Sequence, residues 1–160
     1  MHCIMNTIRA INGKSEYAKD EHLIIKIDGR PLDHLIADLD VGDQRAYKGL
    51  VPTLLDWLYD EDERRLVWTR ILPATGQTTI GPILMCPDDC DFLCTIVVAE
   101  IIRTDKIIEW SRLGSNASPT NKSIEKMGQK VNWFPGLHFR FDVNEYMECI
   151  DSFKRELLGG

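Results

Sequence analysis

One run of β-branched and apolar residues constrains the fold of this chain more than any other feature. Residues 92–102 read FLCTIVVAEII, which is nearly continuous in apolar side chains and rich in isoleucine and valine. Such a run is typical of a strand that is covered on both faces. Thr104-Asp105-Lys106 then separates this run from a second apolar run, 107–113, and the spacing predicts an antiparallel hairpin. We therefore expect the fold to be built around this hairpin.

Other patterns predict the elements that surround the hairpin. The further strand candidates are 23–27, 80–85, 130–134 and 137–141. Pro31 suits the first turn of a short amphipathic helix that runs to Leu39. Pro52 suits the start of another helix, which we expect to break near the acidic run 60–63. Residues 66–72 are compatible with either helix or strand.

The C-terminal segment carries the clearest helical pattern. Asp142 offers an N-cap, and apolar residues recur at steps of three and four as far as Leu157, before two glycines end the pattern. Residues 114–123 are polar and are expected to form a surface loop. Short turns join the strands after Ile80, which favours antiparallel pairing. We therefore predict a single α+β domain over residues 1–160, with helices packed on a largely antiparallel sheet.

Size and composition are those of a globular protein that needs no disulfide or bound metal for stability. The chain has 160 residues, of which 44% are hydrophobic, and a chain of this length buries about two-thirds of its surface on folding. No run approaches the roughly 18 apolar residues of a membrane-spanning helix, and residues 1–5 lack the layout of a signal peptide. Five cysteines make an odd number, which favours reduced thiols over a disulfide framework. We therefore expect a cytoplasmic protein without membrane contact.

The charge is uneven along the sequence. The formal net charge is -6, which disfavours a protein that binds the phosphate backbone of nucleic acids. Residues 20–63 contain twelve acidic and four basic side chains, so the excess of negative charge is local. An acidic region of this kind either complements a basic protein partner or is a solvated surface that keeps the chain soluble.

A second acidic stretch is interleaved with cysteines. Cys86, Cys90 and Cys94 are spaced by four residues, and three aspartates lie between them. Thiols and carboxylates can bind a soft metal or act in catalysis, but zinc sites use closer cysteine pairs together with a second pair or histidines. The cysteines are equally compatible with buried thiols, and the aspartates with turn formation or a docking rim.

The remaining residues provide no catalytic constellation. The four histidines are scattered along the chain, and the glycines form neither a dinucleotide-binding fingerprint nor a phosphate-binding loop. The sequence therefore predicts a protein that is not an enzyme and that binds no cofactor.

Three segments carry a resemblance to a known group of proteins. Residues 82–100, 107–114 and 131–134 read PILMCPDDCDFLCTIVVAE, IIEWSRLG and VNWF. They resemble small bacterial proteins of toxin–immunity loci, including the immunity proteins of contact-dependent inhibition systems. The resemblance spans Val51 to Phe153, and its most specific part is Cys-Pro-Asp-Asp. It implies a cytoplasmic inhibitor that binds one cognate toxin domain, and it transfers no catalytic pattern.

We therefore predict an immunity-type protein that binds and neutralises a cognate toxin domain, with a basic, nuclease-like surface as the expected target. Two alternatives remain open: a metal-binding or enzymatic protein centred on the Cys86–Cys94 loop, and a structural subunit that forms homo-oligomers. The predicted contact residues are acidic: Asp56, Asp60, Glu61, Asp62, Glu63, Asp88, Asp89 and Asp91.

Overall fold

The computed structural model describes residues 5–14, 18, 20–39, 47–121 and 123–159, and only the backbone of 158 and 159. Two antiparallel sheets and three helices make up this part of the chain. In chain order the elements are β1 (Ile8–Gly13), β2 (His22–Ile27), β3 (Arg30–Pro31), α1 (Leu32–Ala37), β4 (Val51–Pro52), α2 (Glu61–Ile71), β5 (Thr78–Met85), β6 (Ile96–Arg103), β7 (Ile107–Asn116), a 3₁₀ turn (Ile124–Lys126), β8 (Val131–Trp133), β9 (Phe139–Asp142) and α3 (Val143–Gly159).

The larger sheet has the order β4-β5-β6-β7, and both β8 and β9 pair with β7. The smaller sheet has the order β1-β2-β3. Every pairing is antiparallel, α3 packs on β1 and β9, and α2 packs on β5. The predicted α+β fold, with helices on a largely antiparallel sheet and a C-terminal helix, is therefore confirmed.

The central strand is shorter than its apolar run predicts. Residues 96–99 of β6 are fully buried, as expected of a strand covered on both faces. The strand begins at Ile96 rather than at Phe92, because the N–H groups of Phe92 and Leu93 donate to side-chain carboxylates instead of a neighbouring strand. The apolar pattern thus identifies the strand correctly but also includes part of the preceding loop.

The hairpin turn forms as predicted, and the strand after it is longer than predicted. The N–H of Thr104 donates to the Ile107 carbonyl at 2.9 Å, which closes the turn between β6 and β7. β7 continues to Asn116, so the prediction that residues 114–123 form a loop from Gly114 onward is wrong. A Cβ at position 114 would lie 2.6 Å from the carbonyl oxygen of Asn132, so only glycine allows β8 to approach this closely.

The acidic run begins a helix instead of ending one. The predicted helix at Pro52 is wrong, because Val51–Pro52 form the edge strand β4, where a proline without an N–H is tolerated. The helix starts after Asp60, whose carboxylate accepts from the N–H groups of Asp62 (2.8 Å) and Glu63 (3.1 Å). Residues 66–71, which the sequence left undecided, are helical.

An aromatic cluster connects α3 to the large sheet and to α2. The indole of Trp110 lies edge-on to the rings of Phe141 (5.2 Å between centroids) and Tyr146 (6.1 Å). The buried Tyr146 hydroxyl donates to the carbonyl of Ile71, the last residue of α2, at 2.6 Å. Buried side chains of both sheets and all three helices belong to one continuous core, which holds α2 in a fixed position.

Candidate docking surface

The start of α2 presents acidic side chains to solvent because the helix itself favours them there. Carboxylates in the first turn interact favourably with the partial positive charge of a helix N-terminus, and Asp60 also supplies the N-cap. Glu61 and Asp62 lie 3.7 and 3.4 Å from the guanidinium of Arg65, and all three side chains are exposed. Exposed pairs of this kind are weak, so these carboxylates remain accessible to a partner.

The connection between β5 and β6, residues 86–95, is closed by a disulfide between Cys86 and Cys94, whose Cα atoms are 6.3 Å apart. The prediction that the cysteines stay reduced is therefore wrong for this pair. The two residues are eight apart in sequence, yet the antiparallel pairing of Met85 with Ile96 brings both chain ends together. Cys90, inside the loop, keeps a free thiol.

Hydrogen bonds fasten this loop to the start of α2. The N–H of Tyr59 donates to the Cys90 carbonyl at 3.4 Å, and the N–H of Phe92 donates to Glu63 Oε2 at 3.2 Å. The two acidic stretches that the sequence singled out therefore meet on one side of the molecule. We call the exposed and half-exposed side chains at this junction the acidic surface: Tyr59, Asp60, Glu61, Asp62, Asp88, Asp89, Asp91 and Leu93.

Two large apolar side chains of the acidic surface are exposed to solvent. Tyr59 is 92% exposed and Leu93 is 71% exposed. Among the other large hydrophobic residues that the structure describes, only Ile11 is classed as exposed, and its exposed fraction is much smaller, at 38%. Sequence reasoning missed both residues. Tyr59 directly precedes the acidic run, which was a usable signal, whereas Leu93 was assigned to the central strand.

Glu63 lies beneath the acidic surface and not in it. The residue is only 7% exposed, and its Oε1 atom has no hydrogen-bond partner among the described residues. Burial raises the pKa of this carboxyl, the Phe92 N–H opposes that shift, and the nearby charges of Asp60 and Asp91 reinforce it. Of the predicted contact residues, Glu63 is therefore the one that fastens the loop to α2 from inside.

Asp56 is also set apart from the other predicted contact residues. It lines a small cavity of about 210 Å³ together with Glu21, Trp57 and Glu156, between the small sheet and the end of α3. Asp60 and Asp62 instead line a shallow groove that continues from the acidic surface toward Thr120. The structure thus brings six predicted acidic residues together and places Asp56 and Glu63 elsewhere.

The Cys86–Cys94 loop does not have the geometry of a metal centre. Within the described ranges, no three or more histidine, cysteine, aspartate or glutamate side chains are arranged to hold a metal ion.

The helices of those same ranges include none that is both long and apolar enough to cross a membrane. Comparisons of the chain with models of protein families, with curated proteins and with solved structures found no match.

Proposed function

We propose that this chain is an immunity-type protein that binds and neutralises a cognate toxin domain with a basic, nuclease-like surface. The observation that carries the proposal is the acidic surface, in which two exposed apolar side chains and six carboxylates lie on two segments that meet. The chain itself performs no reaction in this proposal, and it acts by covering the surface of its partner.

Tyr59 is the residue of the acidic surface whose type is most typical of protein interfaces. Tyrosine is enriched among the residues that dominate binding energy, and such residues are surrounded by polar groups that contribute less. Tyr59 and Leu93 gain most from burial against a partner because they are so exposed in the free protein. The carboxylates of this surface act mainly on the rate of association with a basic protein and on the choice of partner.

The scaffold under the acidic surface favours tight binding. α2 is held by the core through the Tyr146–Ile71 hydrogen bond, and the loop is held by its disulfide and by Glu63. A surface that is ordered before binding loses less conformational entropy when the complex forms.

Neutralisation follows from competition for the same cationic groups. A nuclease binds the phosphates of its substrate with lysine and arginine side chains. Carboxylates that occupy these cations, together with an apolar contact that excludes water, leave no access for nucleic acid. We place the protein in the cytoplasm, where a nuclease meets its substrate.

The test is capture of a partner from the native host, combined with identification of the neighbouring open reading frame. The bait is the full chain, compared with a Tyr59→Ala/Leu93→Ala variant and with Asp105→Asn as the matched control. Asp105 is exposed in the β6–β7 turn, at the far end of β6, about 25 Å from the acidic surface by strand length.

We expect the wild type and Asp105→Asn to capture a basic protein that is encoded by the neighbouring open reading frame, and to relieve its toxicity on co-expression. The double variant should bind this partner at least about thirtyfold more weakly, since two interface anchors are worth about 2 kcal/mol or more. A genomic neighbourhood without a toxic product, or equal rescue by the double variant, would contradict the proposal.

A further inference from the structure

We propose that the Cys86–Cys94 disulfide is a redox switch that controls the acidic surface, with the oxidised form competent for docking. The proposal rests on the docking function for its biological consequence. Its structural part concerns the order of the loop and is tested on the isolated protein.

The position of the disulfide is the first argument. Everything that the loop contributes to the acidic surface lies between the two bridged cysteines: Asp88, Asp89, Asp91 and Leu93. Outside the bridge, Met85 and Ile96 are already paired in the sheet, so the strands do not need the disulfide to find their register. The bond therefore constrains the docking residues rather than the sheet.

The second argument is that few contacts other than the bridge order residues 87–91, whereas the buried Phe92 side chain anchors the end of the loop in the core. The Tyr59–Cys90 and Phe92–Glu63 hydrogen bonds are long, at 3.4 and 3.2 Å, and Thr120 adds one at 3.4 Å to the Phe92 carbonyl. Cys90 has a φ of 49°, a left-handed conformation that disfavours a non-glycine residue. Within the loop, Cys90 also donates from its N–H to the Cys86 carbonyl and from its thiol to the Pro87 carbonyl, both at 3.2 Å. Opening the bridge therefore leaves the left-handed backbone of Cys90 to these few hydrogen bonds.

The third argument concerns which cysteine can react. Burial raises the pKa of the Cys90 thiol, and the charges of Asp88, Asp89 and Asp91 raise it further. Because the thiolate is the nucleophile in thiol–disulfide exchange, Cys90 is a poor competitor for either bridged sulfur. The half-exposed Cys86 and Cys94 remain the reactive pair.

The switch uses ordinary exchange with a dithiol. A thiolate of the dithiol attacks one bridged sulfur, the S–S bond breaks, and the other cysteine leaves as a thiolate that takes up a proton. The second thiol of the reagent then displaces the first cysteine, so two electrons pass to the protein and the reagent becomes a cyclic disulfide. Oxidised glutathione restores the bridge: one cysteine thiolate attacks its disulfide and one glutathione leaves as a thiolate, and the other cysteine then displaces the second glutathione. Disulfides are rare in the reducing cytoplasm, and those that occur there are usually transient and either catalytic or redox-sensing, so at the proposed location the bridge forms only under oxidising conditions.

The experiment compares amide hydrogen exchange in the full chain after treatment with oxidised glutathione and after treatment with reduced dithiothreitol. Alkylation followed by mass spectrometry reports the state of each cysteine. Cys90→Ser is the control that keeps the bridge, and Cys86→Ser/Cys94→Ser mimics the reduced form without a reagent.

Reduction should accelerate exchange at the Tyr59 and Phe92 amides by about tenfold or more, because both bonds depend on an ordered loop. Exchange in the Thr104–Ile107 turn should stay unchanged, and Cys90→Ser should respond like the wild type. Failure of Cys86 and Cys94 to form the bridge with oxidised glutathione would overturn the proposal, as would unchanged exchange after reduction.

A second measurement separates the switch from the docking function. The captured partner is titrated with oxidised and reduced protein, and the oxidised form is expected to bind more tightly. A loop that responds to reduction while no partner is captured would refute the docking function alone. A partner that binds both forms equally would refute the switch alone.

Discussion

The two connections at the ends of β6 join strands of the same sheet but are built very differently. Three residues, 104–106, join β6 to β7, and one backbone hydrogen bond closes the turn. Ten residues, 86–95, join β5 to β6, and they carry a disulfide, a left-handed Cys90 and an exposed Leu93. The sheet itself requires only the shorter form.

The difference indicates which end of the sheet serves a purpose beyond folding. An exposed leucine, a left-handed cysteine and a buried carboxyl with an unpaired oxygen each work against stability. All three lie in or against the long connection, and the disulfide offsets them. Features of the same kinds also lie elsewhere, at Arg103 Nε and Trp110 Nε1, which lack a hydrogen-bond partner among the described residues, and at the left-handed Asp28. The proposed docking function therefore accounts for the exposed Leu93 and not for every such feature.

The largest effect is expected from removal of the disulfide. Cys86→Ser/Cys94→Ser should lower the free energy of unfolding by about 2–3 kcal/mol, because the unfolded chain regains the entropy of an open loop. Urea unfolding of the variant and of the oxidised wild type measures this difference. A change under about 0.5 kcal/mol would show that the long connection needs no bridge.

Glu63 is expected to have the next largest effect. Glu63→Gln keeps an acceptor for the Phe92 N–H, whereas Glu63→Ala leaves this buried N–H without a partner. The alanine variant should therefore be less stable than the glutamine variant by about 1–2 kcal/mol. Urea unfolding at neutral pH tests this, and equal stability of the two variants would mean that the Phe92–Glu63 bond does not hold the loop.

The ionisation of Glu63 should make stability depend on pH. Because its pKa in the folded protein lies above the ordinary value of 4.5, the folded state binds the proton more tightly than the unfolded state. The contribution of Glu63 to stability is present in full below pH 4.5 and is lost as the pH rises through the raised pKa. Wild type should thus gain stability relative to Glu63→Gln on acidification from neutral pH. A stability difference between wild type and Glu63→Gln that does not change with pH would contradict the raised pKa of Glu63.

The short turn should be the least sensitive region. Thr104→Ala removes an exposed hydroxyl that lies 3.3 Å from both the N–H and the carbonyl of Ile107. The backbone hydrogen bond of the turn remains, so the free energy of unfolding should change by less than about 0.5 kcal/mol. A loss as large as that of the disulfide variant would remove the contrast between the two ends of β6.

Hydrophobic patterning predicted the framework of the fold because it reports burial directly. The strands around Ile101 and Ile108 and the helix after Asp142 follow from the spacing of their apolar residues alone. Patterning failed where local hydrogen bonds determine the ends of a helix or strand. Asp60 begins a helix because its carboxylate accepts two N–H groups, and Phe92 leaves the strand because its N–H reaches Glu63.

The acidic surface was predictable as two separate stretches but not as one surface. Which carboxylates meet depends on the Tyr59–Cys90 contact, which joins residues far apart in sequence. The disulfide was missed because an odd number of cysteines says nothing about which two lie at the base of a hairpin. The separate position of Asp56 depends on where the chain turns between β4 and α2, and composition does not fix that turn.

The most direct test of the docking surface is an amide hydrogen-exchange footprint of the complex with the captured partner. We expect partner binding to slow exchange in residues 59–66 and 86–95, with no change at 104–106. Protection confined to the turn at 104–106, or to the small sheet, would place the partner elsewhere and contradict the account.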